Sequence, residues 1–386
     1  MFKRMAAVFT LSAVFLSLLG CSVLYKKEYL SVSDYTEEQH KDNSGEFRSI
    51  ESYEELKSAI TSMVNRHSQE ERFRFIGYDG SLQTDLAQAC WEVKSETALG
   101  GYAVEYMTYD FGRVITYYEA VISIAYKRTQ DDIDSIRYLS GVSKLPEELD
   151  AALSSFSSRV CFKLTGSSIT RESVTAAVQN AFYSNPAACV VMPLPEVNVY
   201  PSVGIQKIIE INFEYGKSPS QIRRLKTVLT EKILQFSDSS ANGTLPQQAL
   251  SLFSQLSDAC AYDPDNTLRS QNSSLDPSLG TTAYGALADN LADSMGMALA
   301  YSALCRQAGI ECYVVNGTLD GTAHSWNIIK LDDAYYHADV ALVKASGLSE
   351  SFLRSDNQLL GRYQWNLEAY PICNGSLNYN LLVGGV

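Results

Sequence analysis

The chain has 386 residues, 46% of them hydrophobic and 19% charged, with a formal net charge of −13. That balance excludes wholesale disorder and a multi-span membrane protein, and at roughly 150 residues per domain it implies two or three domains. The acidity argues against nucleic acid as a partner and against attachment to anionic lipid through a basic patch.

Lys3 and Arg4 precede an apolar run over residues 5–19, which is short for a bilayer span of ~20 residues and fits the hydrophobic region of a secretory leader. The run closes with Leu18-Leu19-Gly20-Cys21, which resembles the bacterial lipobox. Residues 1–20 are therefore expected to be a lipoprotein signal peptide, with Cys21 lipidated as the new N-terminus. This places the mature chain on the extracytoplasmic face of a bacterial cell membrane. Residues 21–48 are polar, lack apolar periodicity and read as a tether.

Residues 49–140 and 141–217 show the same order of patterns: a short helix, an alternating strand, a helix and two further strands. The strand Arg72-Phe73-Arg74-Phe75 corresponds to Val160-Cys161-Phe162-Lys163, and Leu82, Leu86, Ala89, Cys90 and Val93 recur at helical spacing, as do Val174, Ala177, Val178, Ala181 and Phe182. Strands are expected over 102–109 and 114–126 in one copy and over 189–199 and 206–215 in the other. Each copy is thus a small α+β module in an internal repeat, and neither carries a catalytic constellation. Tyr102, Tyr106, Tyr109, Tyr117 and Tyr118 crowd the first copy. Alternation makes them a half-exposed sheet face, with an aromatic ligand-binding face as the other reading. Residues 218–245 read as a bridging amphipathic helix and a linker.

Setting Cys21 aside leaves seven cysteines, an odd number, with no CxxC; the histidines are His40, His67, His324 and His337. With no HExxH and no Cys/His cluster, neither a metal nor a cofactor is expected. The cysteines lie in apolar stretches and read as buried small hydrophobes, with at most an occasional disulfide.

Residues 246–386 carry the chemistry. A helix begins near Ser294 and is ended by Gly309; a buried strand follows, and then two strands meet at Asp332-Asp333. A two-residue turn there sets Leu331 opposite Ala334 and makes Asp339 the diagonal neighbour of His324, at a Cβ separation of ~7 to 8 Å. A histidine held by an aspartate is the base half of a nucleophilic triad, and Ser294 stands at a helix start, where partial positive charge favours a developing anion.

The stretches Tyr262-Asp263, Ala283-Tyr284-Gly285-Ala286-Leu287, Ser294-Met295-Gly296-Met297-Ala298, Gly309-Ile310-Glu311-Cys312, Ala323-His324-Ser325-Trp326-Asn327 and Tyr336-His337-Ala338-Asp339 resemble, in order and spacing, the core of the transglutaminase-like superfamily. The resemblance implies a papain-like α+β fold, a helix packed on an antiparallel sheet. It also implies a Cys, His, Asp triad whose members fall on Ser294, His324 and Asp339, with Tyr284, Trp326 and His337 lining the cleft or packed behind the triad, and His337 as a supporting residue and not a second base. The nucleophilic cysteine is here a serine. Ser294, or Asp293 beside it, could equally be the N-cap of the helix.

A serine hydroxyl cannot be stored as an anion the way a thiol can, and would need concerted proton transfer to His324. The reading is therefore a catalytically impaired transglutaminase-like lipoprotein that binds peptide, protein or cell-wall material. The alternatives are an active acyltransferase or amide hydrolase using Ser294, His324 and Asp339, and a structural lipoprotein acting through its repeated modules.

Overall fold

The computed structural model describes residues 47–384. The expected leader, Cys21 and almost all of the tether lie outside the described residues. The chain divides into two compact units, residues 47–94 with 103–127, and residues 95–102 with 128–384.

In the first unit, strands β1 (Arg48–Ile50), β2 (Glu70–Phe75), β3 (Val104–Val114) and β4 (Tyr117–Tyr126) form a sheet of order β1-β2-β4-β3. β1 is parallel to β2; the other pairs are antiparallel. The helix Tyr53–Asn65 starts at Ser52, whose side chain accepts from the Glu55 amide, and buries Leu56, Ile60 and Met63. The tyrosine-rich stretch does not form one aromatic face. Tyr102 lies in a helix, Ala98–Ala103, where a strand start is expected. Tyr106 and Tyr117 lie on one side of the sheet, whereas Tyr109 and Tyr118 share the side of Ile122 and Ala120, because successive strand residues point to opposite faces.

In the second unit, β5 (Arg137–Tyr138), β6 (Arg159–Thr165), β7 (Leu194–Tyr200) and β8 (Gln206–Glu214) form a sheet of the same kind, β5-β6-β8-β7, again with a parallel first pair. β5 pairs here although it falls within residues 49–140. The third strand starts at Leu194 rather than 189, after Pro193, which has no N–H to donate. Glu210 is buried and paired with Arg128 at 2.6 Å and Arg159 at 2.9 Å.

Ser218, in a capping box with Gln221, starts the helix Pro219–Ser240, and a second helix, Leu245–Ala259, follows. Their apolar faces, including Leu229, Ile233, Leu252 and Phe253, join a core that runs from Leu149 through Leu299 to Phe352. The segments 141–217, 218–245 and 246–386 therefore share one hydrophobic interior.

The last sheet has five antiparallel strands in the order β14-β13-β12-β11-β15. They are β11 (Cys312–Leu319), β12 (Thr322–Leu331), β13 (Ala334–Ala338), β14 (Phe352–Arg354) and β15 (Tyr363–Trp365). The helix Ser294–Gln307 packs on it and is buried from Gly296 to Cys305, which its run of Gly, Ala and Ser allows. A short parallel pair, β9 (Ala261–Tyr262) with β10 (Leu291–Ala292), leads into that helix. The result is the α+β, papain-like arrangement of a helix on an antiparallel sheet. Among the described residues no helix is long and apolar enough to cross a membrane.

Candidate active site

The helix that carries Ser294 is capped by its neighbour. Asp293 has extended backbone and its Oδ1 accepts from the Gly296 amide at 2.8 Å. Ser294 is therefore the first helical residue and its hydroxyl is free for other contacts. Ser294 Oγ accepts a hydrogen bond from the Ser325 amide at 3.2 Å and lies beside the Tyr262 phenol. Burial pushes the Asp293 carboxyl above its ordinary range, opposed by the amides it accepts from. Gly296 lets the helix start approach this closely: a Cβ there would lie 2.4 Å from the Gly280 carbonyl oxygen and 2.9 Å from Ala292 Cβ.

The base half of the site comes from the β12–β13 hairpin. Its register runs from Leu331 opposite Ala334 to Asn327 opposite Ala338, as a two-residue turn requires. Pairing stops there, and the Asp339 amide turns to the Ser351 carbonyl at 2.8 Å. His324 Nε2 meets Asp339 Oδ2 at 2.7 Å. The Tyr363 hydroxyl donates to the same oxygen at 2.8 Å, and the Leu342 amide to Oδ1 at 3.2 Å. A carboxylate receiving these donors accepts the proton of Nε2, which leaves the lone pair of His324 on Nδ1. Burial pushes the Tyr363 phenol well up, and the Asp339 charge adds to it.

The structure thus brings together Ser294, His324 and Asp339, with relative exposures of 9%, 7% and 4%. The pair His324 and Asp339 is directly bonded, whereas Ser294 bonds the backbone next to His324 and makes no hydrogen bond to the ring. An imidazole with a lone pair on Nδ1 can take a proton, and the Ser294 hydroxyl, which accepts the Ser325 amide hydrogen, makes no hydrogen bond to that ring among the described residues.

Trp326 and His337 are buried, each 1% exposed, and do not line a cleft. Strand alternation puts Asn327 toward the helix, where it bonds the Ala298 carbonyl, and Trp326 into a second small core with Val315, Ile328 and Tyr363. Trp326 stacks on His324 with ring centroids 6.2 Å apart. Its Nε1 donates to His337 Nδ1 at 3.0 Å, and His337 Nε2 meets Asp356 Oδ1 at 2.8 Å. The charged neighbours of Tyr284 are Asp289 and Arg269.

The donor atoms of His337, Asp356 and Cys373 lie within 4.8 Å of one another. Because Nδ1 accepts the Trp326 proton, the ring hydrogen sits on Nε2 and points to Asp356, so His337 offers no lone pair to a metal. This group is a hydrogen-bonded clasp, completed by the Cys373 amide on Asp356 Oδ2 at 3.1 Å. Burial pushes the His337 imidazole below its ordinary value, opposed by Asp356.

Three contributors carry no local sequence pattern. Arg269 is fully buried and bonds Asp289 at 2.8 Å and the Leu291 carbonyl at 2.9 Å, fixing β10 just before Asp293. Tyr363 reaches Asp339 and Asp356 reaches His337 from the C-terminal segment, 24 and 19 residues beyond those partners.

Residues 231–340 match the family model described as Transglutaminase-like superfamily. A solved structure described as "Crystal structure of a TGase" is similar at 13% identity over 57% of this chain and 60% of that chain, with a TM-score of 0.27. The chain therefore spans less than two thirds of that structure's length. No curated protein matches.

Proposed function

From a chain that contains a transglutaminase-like superfamily domain over residues 231–340, we propose a catalytically impaired member that binds peptide, protein or cell-wall material instead of transferring acyl groups. One observation carries this reading: the Ser294 hydroxyl takes a hydrogen bond from the Ser325 amide and gives none to His324. A serine nucleophile works by passing its proton to the imidazole as the bond to carbon forms, so the hydroxyl must face the ring nitrogen. A thiol in the same position would not need that contact, because a helix start and an adjacent imidazole can hold it as thiolate.

One further feature supports the reading: the Asp293 carboxylate already occupies amides at the helix start, where a tetrahedral oxyanion would otherwise be stabilised. The protein is further proposed to be lipid-anchored at Cys21 on the extracytoplasmic face of a bacterial membrane, on the sequence pattern of residues 1–21.

The test treats wild type and Ser294→Ala with a fluorophosphonate, and separately with a glutaminyl peptide plus a primary amine. The expected result is no adduct at Ser294 and no amide transfer above the Ser294→Ala background, while peptide or cell-wall fragments bind both proteins equally. An adduct present in wild type and lost in Ser294→Ala would establish the Ser, His, Asp hydrolase instead. For the anchor, Cys21→Ser is expected to move the protein from the membrane to the soluble fraction.

A further inference from the structure

The helix that starts at Ser294 and the strand β11 that follows it are joined by a tight reversal. The Gly309 amide donates to the Arg306 carbonyl at 3.1 Å, the Ile310 amide to the Cys305 carbonyl at 2.8 Å, and Gly309 has φ 74°. This is the closure expected of a helix C-terminus, and it folds the strand back along the helix. Cys305 stands four residues before Gly309 and Cys312 three residues after it.

Strand register puts Cys312 on the face that meets the helix. Asn327, opposite Val314, bonds both the Ala298 carbonyl at 2.9 Å and Cys312 Sγ at 3.4 Å. Cys305 lies two helical turns beyond Ala298 on the same stripe. Register and helix stripe thus put the two thiols between the same helix and strand, and burial followed by the neighbouring Cys312 thiol pushes Cys305 well above its ordinary value. The other described cysteines have neighbours of a different kind, among them Ser154 for Cys189, Tyr102 for Cys161 and Asp356 for Cys373. Cys305 is fully buried, whereas Cys312 is half-buried and lines a cavity of about 660 Å³ together with Tyr313, Arg306 and Tyr370.

We propose that Cys305 and Cys312 are a redox pair, closed to a disulfide by a small-molecule or protein disulfide that enters from this cavity. The Cys312 thiolate attacks one sulfur of the oxidant, whose S–S bond breaks and whose other half leaves as a thiol after taking up a proton. Cys305 then gives up its proton and attacks Cys312 Sγ, expelling the second half as a thiol. Two cysteine thiols are oxidised, one disulfide is reduced, and both protons end on the released thiols. The product ties the helix carrying Ser294 to the central sheet. Cys305 is the slow partner, since burial holds it as a thiol.

The experiment incubates the folded protein with oxidised glutathione, alkylates it and maps its peptides without reduction. The expected result is a peptide linked between Cys305 and Cys312 and two fewer alkylatable thiols per chain, both reversed by reductant. In Cys305→Ala, Cys312 is expected to stop as a glutathione adduct. Separate alkylation of Cys305 and Cys312 in the oxidised wild type, or linkage of either to a different cysteine, would overturn the proposal. Wild-type mapping decides the matter even if the variant does not fold.

Discussion

Ser294 Oγ takes its hydrogen bond from the amide of Ser325, 3.2 Å away, and Ser325 is the residue that follows His324. The hydroxyl and the imidazole are thus neighbours held by backbone, with no bond between them. The base is assembled independently, by Asp339 at one end of the ring and the Trp326 face beside it. The contacts that hold the proton-handling pair therefore do not depend on whether position 294 carries a hydroxyl or a thiol.

Tyr363→Phe removes one of the two side-chain donors on Asp339 Oδ2 and keeps the ring in its small core. A hydrogen bond to a buried charged group contributes about 2 kcal/mol. Urea unfolding should show a loss of that order with an unchanged m-value. A loss near zero would mean that the phenol does not hold the carboxylate.

Gly296→Ala sets two effects against each other. Alanine gains about 1 kcal/mol of helix propensity over glycine. The added Cβ would lie 2.4 Å from the Gly280 carbonyl oxygen, a backbone atom that cannot rotate away. Overpacking costs of ~1 to 3 kcal/mol or more should win, so the variant is expected to unfold at lower urea than wild type despite its better helix former.

His337 makes stability depend on pH. Its folded pKa is held below the 6.5 of an ordinary histidine, chiefly by burial. Above 6.5 the imidazole is neutral in both states and its contribution is fully present. As the pH falls below that value the unfolded chain takes up a proton that the folded chain resists, and stability declines until the folded value is passed. His337→Gln should flatten this part of the profile, measured as the difference in urea midpoint between the two proteins across the window. Parallel profiles would mean that the buried ring does not contribute.

The hairpin was the most legible part of the site. Asp332 adopts φ 54°, a left-handed turn conformation that aspartate tolerates, and that turn sets the register as far as Asn327 opposite Ala338, beyond which Asp339 meets His324 outside the ladder. Cap chemistry left Ser294 and Asp293 as alternatives, because either side chain can accept from an amide two or three residues on. Orientation was not legible for Tyr284, Trp326 and His337. A motif places residues along the chain, but which side of β12 the second core covers depends on the segment from Leu359 to Cys373, distant in sequence. Arg269 and Tyr363 act through contacts with no periodicity to detect.

The most direct measurement is the alkylation rate at position 294 in Ser294→Cys. The described native cysteines are buried or half-buried, and burial raises the thiol pKa of most of them, to about 12 for Cys90 and about 11 for Cys189. A thiol at the helix start beside His324 should react with iodoacetamide well ahead of every native cysteine near neutral pH, and should lose that lead in His324→Ala. Equal or slower reaction at position 294 would contradict a pocket shaped for a sulfur nucleophile.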